Sequence, residues 1–169
     1  MRHAIAHRPT ATEGGARVVA SLALPHDERH LRRRRFSLEG DDAVLVDLPA
    51  AVQMADGAVL VCEDGSEILI RAAPEALYAV SARDSLHLAE LAWHIGNRHL
   101  PAEIEASRIL ILRDHVIKAM VEGLGGTVTE IVGPFTPVRG AYHHAHAETA
   151  HGHRHAGDDH APDNGHRHG

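Results

Sequence analysis

Cysteine occurs once in this 169-residue chain, at Cys62, so neither an intrachain disulfide nor a cysteine-based zinc site can form. Aromatic residues are also scarce, at 3%, which leaves few platforms for stacking bases or sugars. Basic residues do not dominate. Lys plus Arg is 17 against 23 Asp plus Glu, a formal charge of −6 with His neutral, which is the wrong balance for wrapping nucleic acid. No apolar run approaches the roughly 20 residues of a membrane span. The start, Met1-Arg2-His3-Ala4-Ile5, lacks the apolar stretch of a secretion signal. These absences predict a soluble cytoplasmic protein with no nucleic-acid or membrane partner.

What the chain does have is a core and an excess of histidine. Apolar residues make up 44%, and the length suits one domain or two small ones. Of 17 histidines, nine fall in the last 27 residues, at 143, 144, 146, 151, 153, 155, 160, 166 and 168.

Three zones follow one another. Residues 1–75 hold short β-like runs between turn signals, at 17–24, 33–38, 43–48, 59–62 and 68–71, and read as a small all-β domain. Ala72-Ala73-Pro74-Glu75 reads as a linker in which Pro74 closes the strand. Residues 76–142 change character. A strand at 77–81 precedes a helix capped by Asp84 and running to about Asn97, with Leu88, Leu91, Ala92 and Ile95 at helical spacing. Two short strands, 103–105 and 108–112, flank a tight turn. A second helix starts at Asp114, stops at Gly125-Gly126, and leads into a strand at 127–132. The order βαββαβ predicts a ferredoxin-like split βαβ domain, and the whole chain is expected to be α+β. Residues 143–169 contain no Val, Ile, Leu, Phe or Met. Such a segment buries too little apolar surface to offset chain entropy and is expected to be a disordered tail.

That tail has chemistry. Gly152-His153-Arg154-His155 recurs as Gly165-His166-Arg167-His168, which marks His153, His155, His166 and His168 as metal ligands. Neutral imidazole, with a pKa near 6.5, suits Ni, Zn and Cu ions. A flexible His-X-His folds two rings onto one ion and exchanges it quickly. An expression tag would be an uninterrupted run, whereas these histidines alternate with Gly, Arg and Asp.

Enzymatic signatures are missing. There is no Gly-X-Ser-X-Gly elbow, no P-loop and no His-Glu-X-X-His, and Gly123-Leu124-Gly125-Gly126 reads as a helix stop. Arg32 to Arg35 read as a solvated edge strand. Cys62 reads as a small core residue. An acid–base pair of His99 and Asp114 is the remaining enzymatic alternative.

The stretch Trp93-His94-Ile95-Gly96-Asn97-Arg98-His99-Leu100-Pro101 resembles the Gly-Asn-Arg-His signature of the UreE family, urease accessory proteins that carry nickel. Asp114-His115-Val116 and the ending Phe135-Thr136-Pro137-Val138-Arg139-Gly140-Ala141-Tyr142 are similar to the family in the same order. The resemblance implies a partner-binding β domain followed by a metal-binding domain that forms a homodimer. It implies that His99 is the central ligand, so that two copies of one imidazole share an ion across a twofold axis. His115 matches an auxiliary ligand of some members. Here it stands in Arg113-Asp114-His115, without the His-X-His pair those members carry, and a residue of the first helical turn is the equal alternative. His94 is expected on the helix surface. The implied function is a nickel metallochaperone, not an enzyme, that binds Ni²⁺ (with Zn²⁺ and Cu²⁺ also fitting) and passes it to the urease maturation GTPase and the apo-urease–accessory protein complex. The alternative is a general His-rich buffer or storage protein for divalent metals.

Overall fold

A computed structural model describes residues 1–11 and 17–138, and the tail histidines therefore lie outside the described residues. The first six strands are β1 (Arg2–Arg8), β2 (Val18–Leu24), β3 (His30–Ser37), β4 (Ala43–Gln53), β5 (Val59–Cys62) and β6 (Glu67–Ala72). They form one mixed sheet in the order β2-β6-β5-β1-β4-β3. The pairs β1/β4 and β2/β6 are parallel, and the others are antiparallel. Inward positions alternate along the middle of β4, where Val44, Val46 and Leu48 are buried. Among the described residues, no helix of eight or more residues lies in this half. A single apolar cluster instead unites Leu22 and Leu24 of edge strand β2 with Leu31 of edge strand β3 and Ile68, Ile70 and Leu60 between them. A one-faced sheet with no covering layer has to curl on itself to dry that face. Each such fully buried Leu or Ile contributes about 1.5–3 kcal/mol. Cys62 belongs to this cluster, and burial raises its thiol pKa.

The second sheet contains β7 (Pro74–Ser81), β8 (Ala102–Ile104), β9 (Arg108–Leu112) and β10 (Thr127–Pro134). Its order is β10-β7-β9-β8, and every neighbouring pair is antiparallel. Helix α1 (Ser85–Gly96) joins β7 to β8, and α2 (His115–Gly123) joins β9 to β10. Two β-α-β units thus interlock, each leaving room for a strand of the other. Both helices pack on one face through Leu91, Ile95, Ile117 and Val121, against Tyr78, Val80, Ile109 and Ile111.

Their ends follow from the sequence. Asp84 accepts the backbone N–H of His87 at 2.8 Å, and Asp114 Oδ1 accepts those of Val116 and Ile117 at 2.8 and 3.1 Å. Both are side-chain N-caps that satisfy orphan donors. Gly125, at φ 84°, turns the chain after α2. The buried His87 staples that turn to α1: its Nε2 lies 3.0 Å from the Leu124 carbonyl, and its Nδ1 accepts from Arg83 N–H.

The linker expected at 72–75 is shorter than that. Ala73 alone separates β6 from β7, and Pro74 opens a strand where it was expected to close one. Pro74 faces only Pro134 of β10, since pairing with β9 begins at Leu77. A missing N–H is tolerated at a strand's first residue.

The two sheets meet at a polar joint. His26 N–H donates to Glu75 at 2.8 Å, and its ring Nδ1 lies 3.0 Å from the other carboxylate oxygen. The His26 ring meets Phe135 edge-on at 5.0 Å. Arg29, 1% exposed, donates to the Phe135 carbonyl, while its Nε has no partner. Burial lowers the Arg29 pKa, opposed by the nearby carboxylates Glu75, Asp56 and Glu103.

Candidate metal centre

His99 is an exposed residue three positions beyond α1. The helix unwinds in a tight turn: Arg98 N–H donates to the Ile95 carbonyl at 3.1 Å and His99 N–H to that of Gly96 at 2.9 Å. Pro101 prevents any continuation. To complete this turn, His99 takes φ 56°, and it is the one non-glycine residue with positive φ among the described residues. A residue with a Cβ pays roughly 1–2 kcal/mol there, which is why glycine usually fills such positions. The position is thus held by an exposed imidazole where the backbone alone would favour glycine.

The preceding helix α1 carries exposed apolar side chains. Trp93, one and a half turns earlier, is 65% exposed and meets the His94 ring edge-on at 5.0 Å. Leu86, two turns before Trp93 on the same helix, is 71% exposed. Arg98 donates to the sulfur of Met120 at 2.8 Å, which ties the His99 turn to α2.

A second feature was not legible in the sequence. Phe135 to Val138 leave β10 and run across the sheet face opposite the helices. Phe135, fully buried, sits with Leu77, Ala79 and Leu110. Thr136 N–H donates to Glu103 at 2.7 Å and Val138 N–H to the Ala102 carbonyl at 2.9 Å. The segment thus passes from one edge of the sheet to the other and ends against Ala102, three residues along the chain from His99.

His115 is the first residue of α2 and is exposed. Its neighbour Asp114 spends its Oδ1 on the helix cap, so that oxygen is already engaged in holding α2. No group of three His, Cys, Asp or Glu side chains able to hold a metal forms among the described residues. His99 and His115 are therefore not parts of one closed cage within the described residues of a single chain. His153, His155, His166 and His168 fall outside those residues. Among the described residues, no helix is long and apolar enough to cross a membrane.

Comparison with known proteins adds an independent line. Residues 2–73 match the family described as UreE urease accessory protein, N-terminal domain, and residues 75–168 match the corresponding C-terminal domain. A protein of Mesorhizobium japonicum named Urease accessory protein UreE is 62% identical over 133 residues, covering 79% of this chain and 68% of that protein. The same name is carried by a Rhizobium meliloti protein, 58% identical over 75% of this chain and 83% of its own length. A Rhizobium rhizogenes protein of that name is 53% identical and covers 89% of each chain. With both halves matched in order, this chain belongs to the UreE family of urease accessory proteins.

Proposed function

We propose that this chain is a nickel metallochaperone for urease maturation and not an enzyme. Tail histidines, among them His153, His155, His166 and His168, collect Ni²⁺, and a homodimer concentrates it between two copies of His99. The observation that carries this reading is the exposed imidazole of His99 held at a positive φ just past the end of a helix that carries the exposed Trp93. A second copy docked over Trp93 would bury that surface and bring the two His99 rings toward one axis.

Two imidazoles are too few to complete a nickel shell, so further ligands have to arrive. Val138 is bonded beside Ala102, and His143 follows five residues later. An extended chain of that length reaches at most about 18 Å, which is enough to bring tail histidines to His99. His115 serves as an auxiliary ligand in this reading. We read the β10-β7-β9-β8 domain, residues 76–142, as ferredoxin-like, the all-β domain, residues 1–75, as a partner-binding unit, and residues 143–169, which lie outside the described residues, as a His-rich metal-binding arm. The ion passes by ligand exchange to the urease maturation GTPase and the apo-urease–accessory protein complex, in the cytoplasm. Imidazole also accepts Zn²⁺ and Cu²⁺.

The nine tail histidines favour one competing reading, a general metal buffer. Calorimetric titration with Ni²⁺ and Zn²⁺ separates the two when run on the full chain, a chain ending at Tyr142 and His99→Ala. A chaperone loses its tightest site in His99→Ala, while the chain ending at Tyr142 keeps a His99-dependent site and loses the weaker ones. A buffer loses about one site among many in His99→Ala. A monomer in solution scattering with Ni²⁺ bound would overturn the shared site.

A further inference from the structure

We infer that the outer edge of β3 is a docking strand for an extended acidic segment of another protein. The strand carries Arg32, Arg33, Arg34 and Arg35 in succession, and all four are exposed. It is the last strand of its sheet, paired only with β4. Residues 31–37 make no further backbone hydrogen bonds among the described residues. Its outward N–H and C=O groups are therefore open to one more strand.

The charge exceeds what the fold uses. Arg34 pairs with Glu28 at 3.1 Å and lies over the Phe36 ring at 5.0 Å, and Arg33 is 3.9 Å from Asp47. Arg32 and Arg35 have no partner among the described residues. Arg33 and Arg35 stand on the same face of the strand, opposite Asp47 and Leu45, so the two like charges repel across about 7 Å. A chain with a formal charge of −6 has carboxylates to spare, yet it leaves these two cations unneutralised.

Protection against edge-to-edge aggregation is the simpler account of charged edge strands. The opposite edge argues against it here. Strand β2 is Val-Val-Ala-Ser-Leu-Ala-Leu, with no charged residue and with Val19 50% exposed. A guard against sticky edges belongs on β2 first. Four arginines confined to the other edge instead suit recognition of anions at a strand-like spacing. Acidic residues on a pairing strand would meet Arg33 and Arg35 on one face and Arg34 on the other, while backbone pairing supplies the register.

The test uses the full chain and three labelled probes: a peptide alternating glutamate and threonine, its lysine counterpart, and a single-stranded oligonucleotide of equal charge. Fluorescence anisotropy should show the glutamate peptide binding, with affinity falling as salt rises. Arg32→Thr with Arg35→Thr should weaken it about tenfold, on the scale of two exposed charge pairs. Alternate N-methylation of the peptide should abolish binding, because it removes the backbone donors. Arg35→Glu should shift preference toward the lysine peptide, which keeps the test decisive if the double variant is poorly folded. Tighter binding of the oligonucleotide, or binding indifferent to the arginines, overturns the proposal. None of these outcomes bears on His99 or the metal.

Discussion

The backbone N–H of Val138 donates to the carbonyl of Ala102 at 2.9 Å, anchoring the start of the C-terminal segment beside the turn that holds His99. The anchor is secured from behind. Phe135 fills the apolar face of Leu77 and Leu110, and the buried Arg29, in the turn just before β3, holds its carbonyl. Four side chains, Arg29, Leu77, Leu110 and Phe135, thus hold the segment that leads to Val138.

Arg29→Ala should destabilise the chain by about 2–3 kcal/mol, because it leaves a cavity and a buried carbonyl without its donor. The same change should speed amide exchange at Thr136 and Val138 more than at Val80. Denaturant unfolding and hydrogen exchange on one sample check both effects. Equal acceleration everywhere would mean that Arg29 does not pin the crossing segment.

His99 sets stability against function. His99→Gly should be more stable than His99→Ala by about 1 kcal/mol, since only glycine relaxes at positive φ. Both variants should lose the tightest Ni²⁺ site. Equal unfolding midpoints for the two would show that the turn carries no strain.

Two glycines three residues apart should respond in opposite ways. A Cβ on Gly126 would lie 2.7 Å from Val121 Cγ1 and 3.0 Å from Leu91 Cδ1, whereas one on Gly123 meets nothing within 4 Å. Gly126→Ala should cost about 1–3 kcal/mol through overpacking of the α1–α2 contact. Gly123→Ala, in the last turn of α2, should gain about 0.5 kcal/mol from helix propensity. Thermal melts of the pair are sufficient to check this.

Acid should weaken the first sheet. The hydrogen bonds from Ser66 hold the Asp64 carboxyl below its ordinary pKa, and the Ala43 N–H, aided by Arg2, does the same for Asp42. A lowered folded-state pKa stabilises above the unfolded value, near 3.9, and that contribution is lost as pH falls through the folded value. Unfolding midpoints should therefore drop below about pH 4. Asp64→Asn with Asp42→Asn should flatten the decline, since asparagine still accepts from the backbone but carries no charge.

Much of the fold was legible because local chemistry decided it. Asp84 is a cap in the sequence and in the structure, and Asp114, read as the start of the second helix, is its cap. Strand β5 was read at its observed bounds, and β9 likewise. Strand β1 was not anticipated. Arg2–Arg8 carries one buried side chain, Ala4, yet it lies between β5 and β4. Its place comes from backbone pairing on both sides, which leaves no trace in hydropathy. The 3-10 turn Asp27–Arg29 was also missed, since nothing in its residues announces that Arg29 will be buried.

The sequence alone determined the histidine supply, the caps and breaks, and the Gly-Asn-Arg-His stretch, because composition, spacing and single-residue backbone preferences act locally. Tertiary structure decided that His99 would sit at positive φ in the open, that Pro74 would begin a strand, and that Phe135 would carry the chain across a sheet to Ala102. Each of those depends on which surfaces meet once distant segments pack, and that outcome is set by the burial of the whole core and not by any window along the chain.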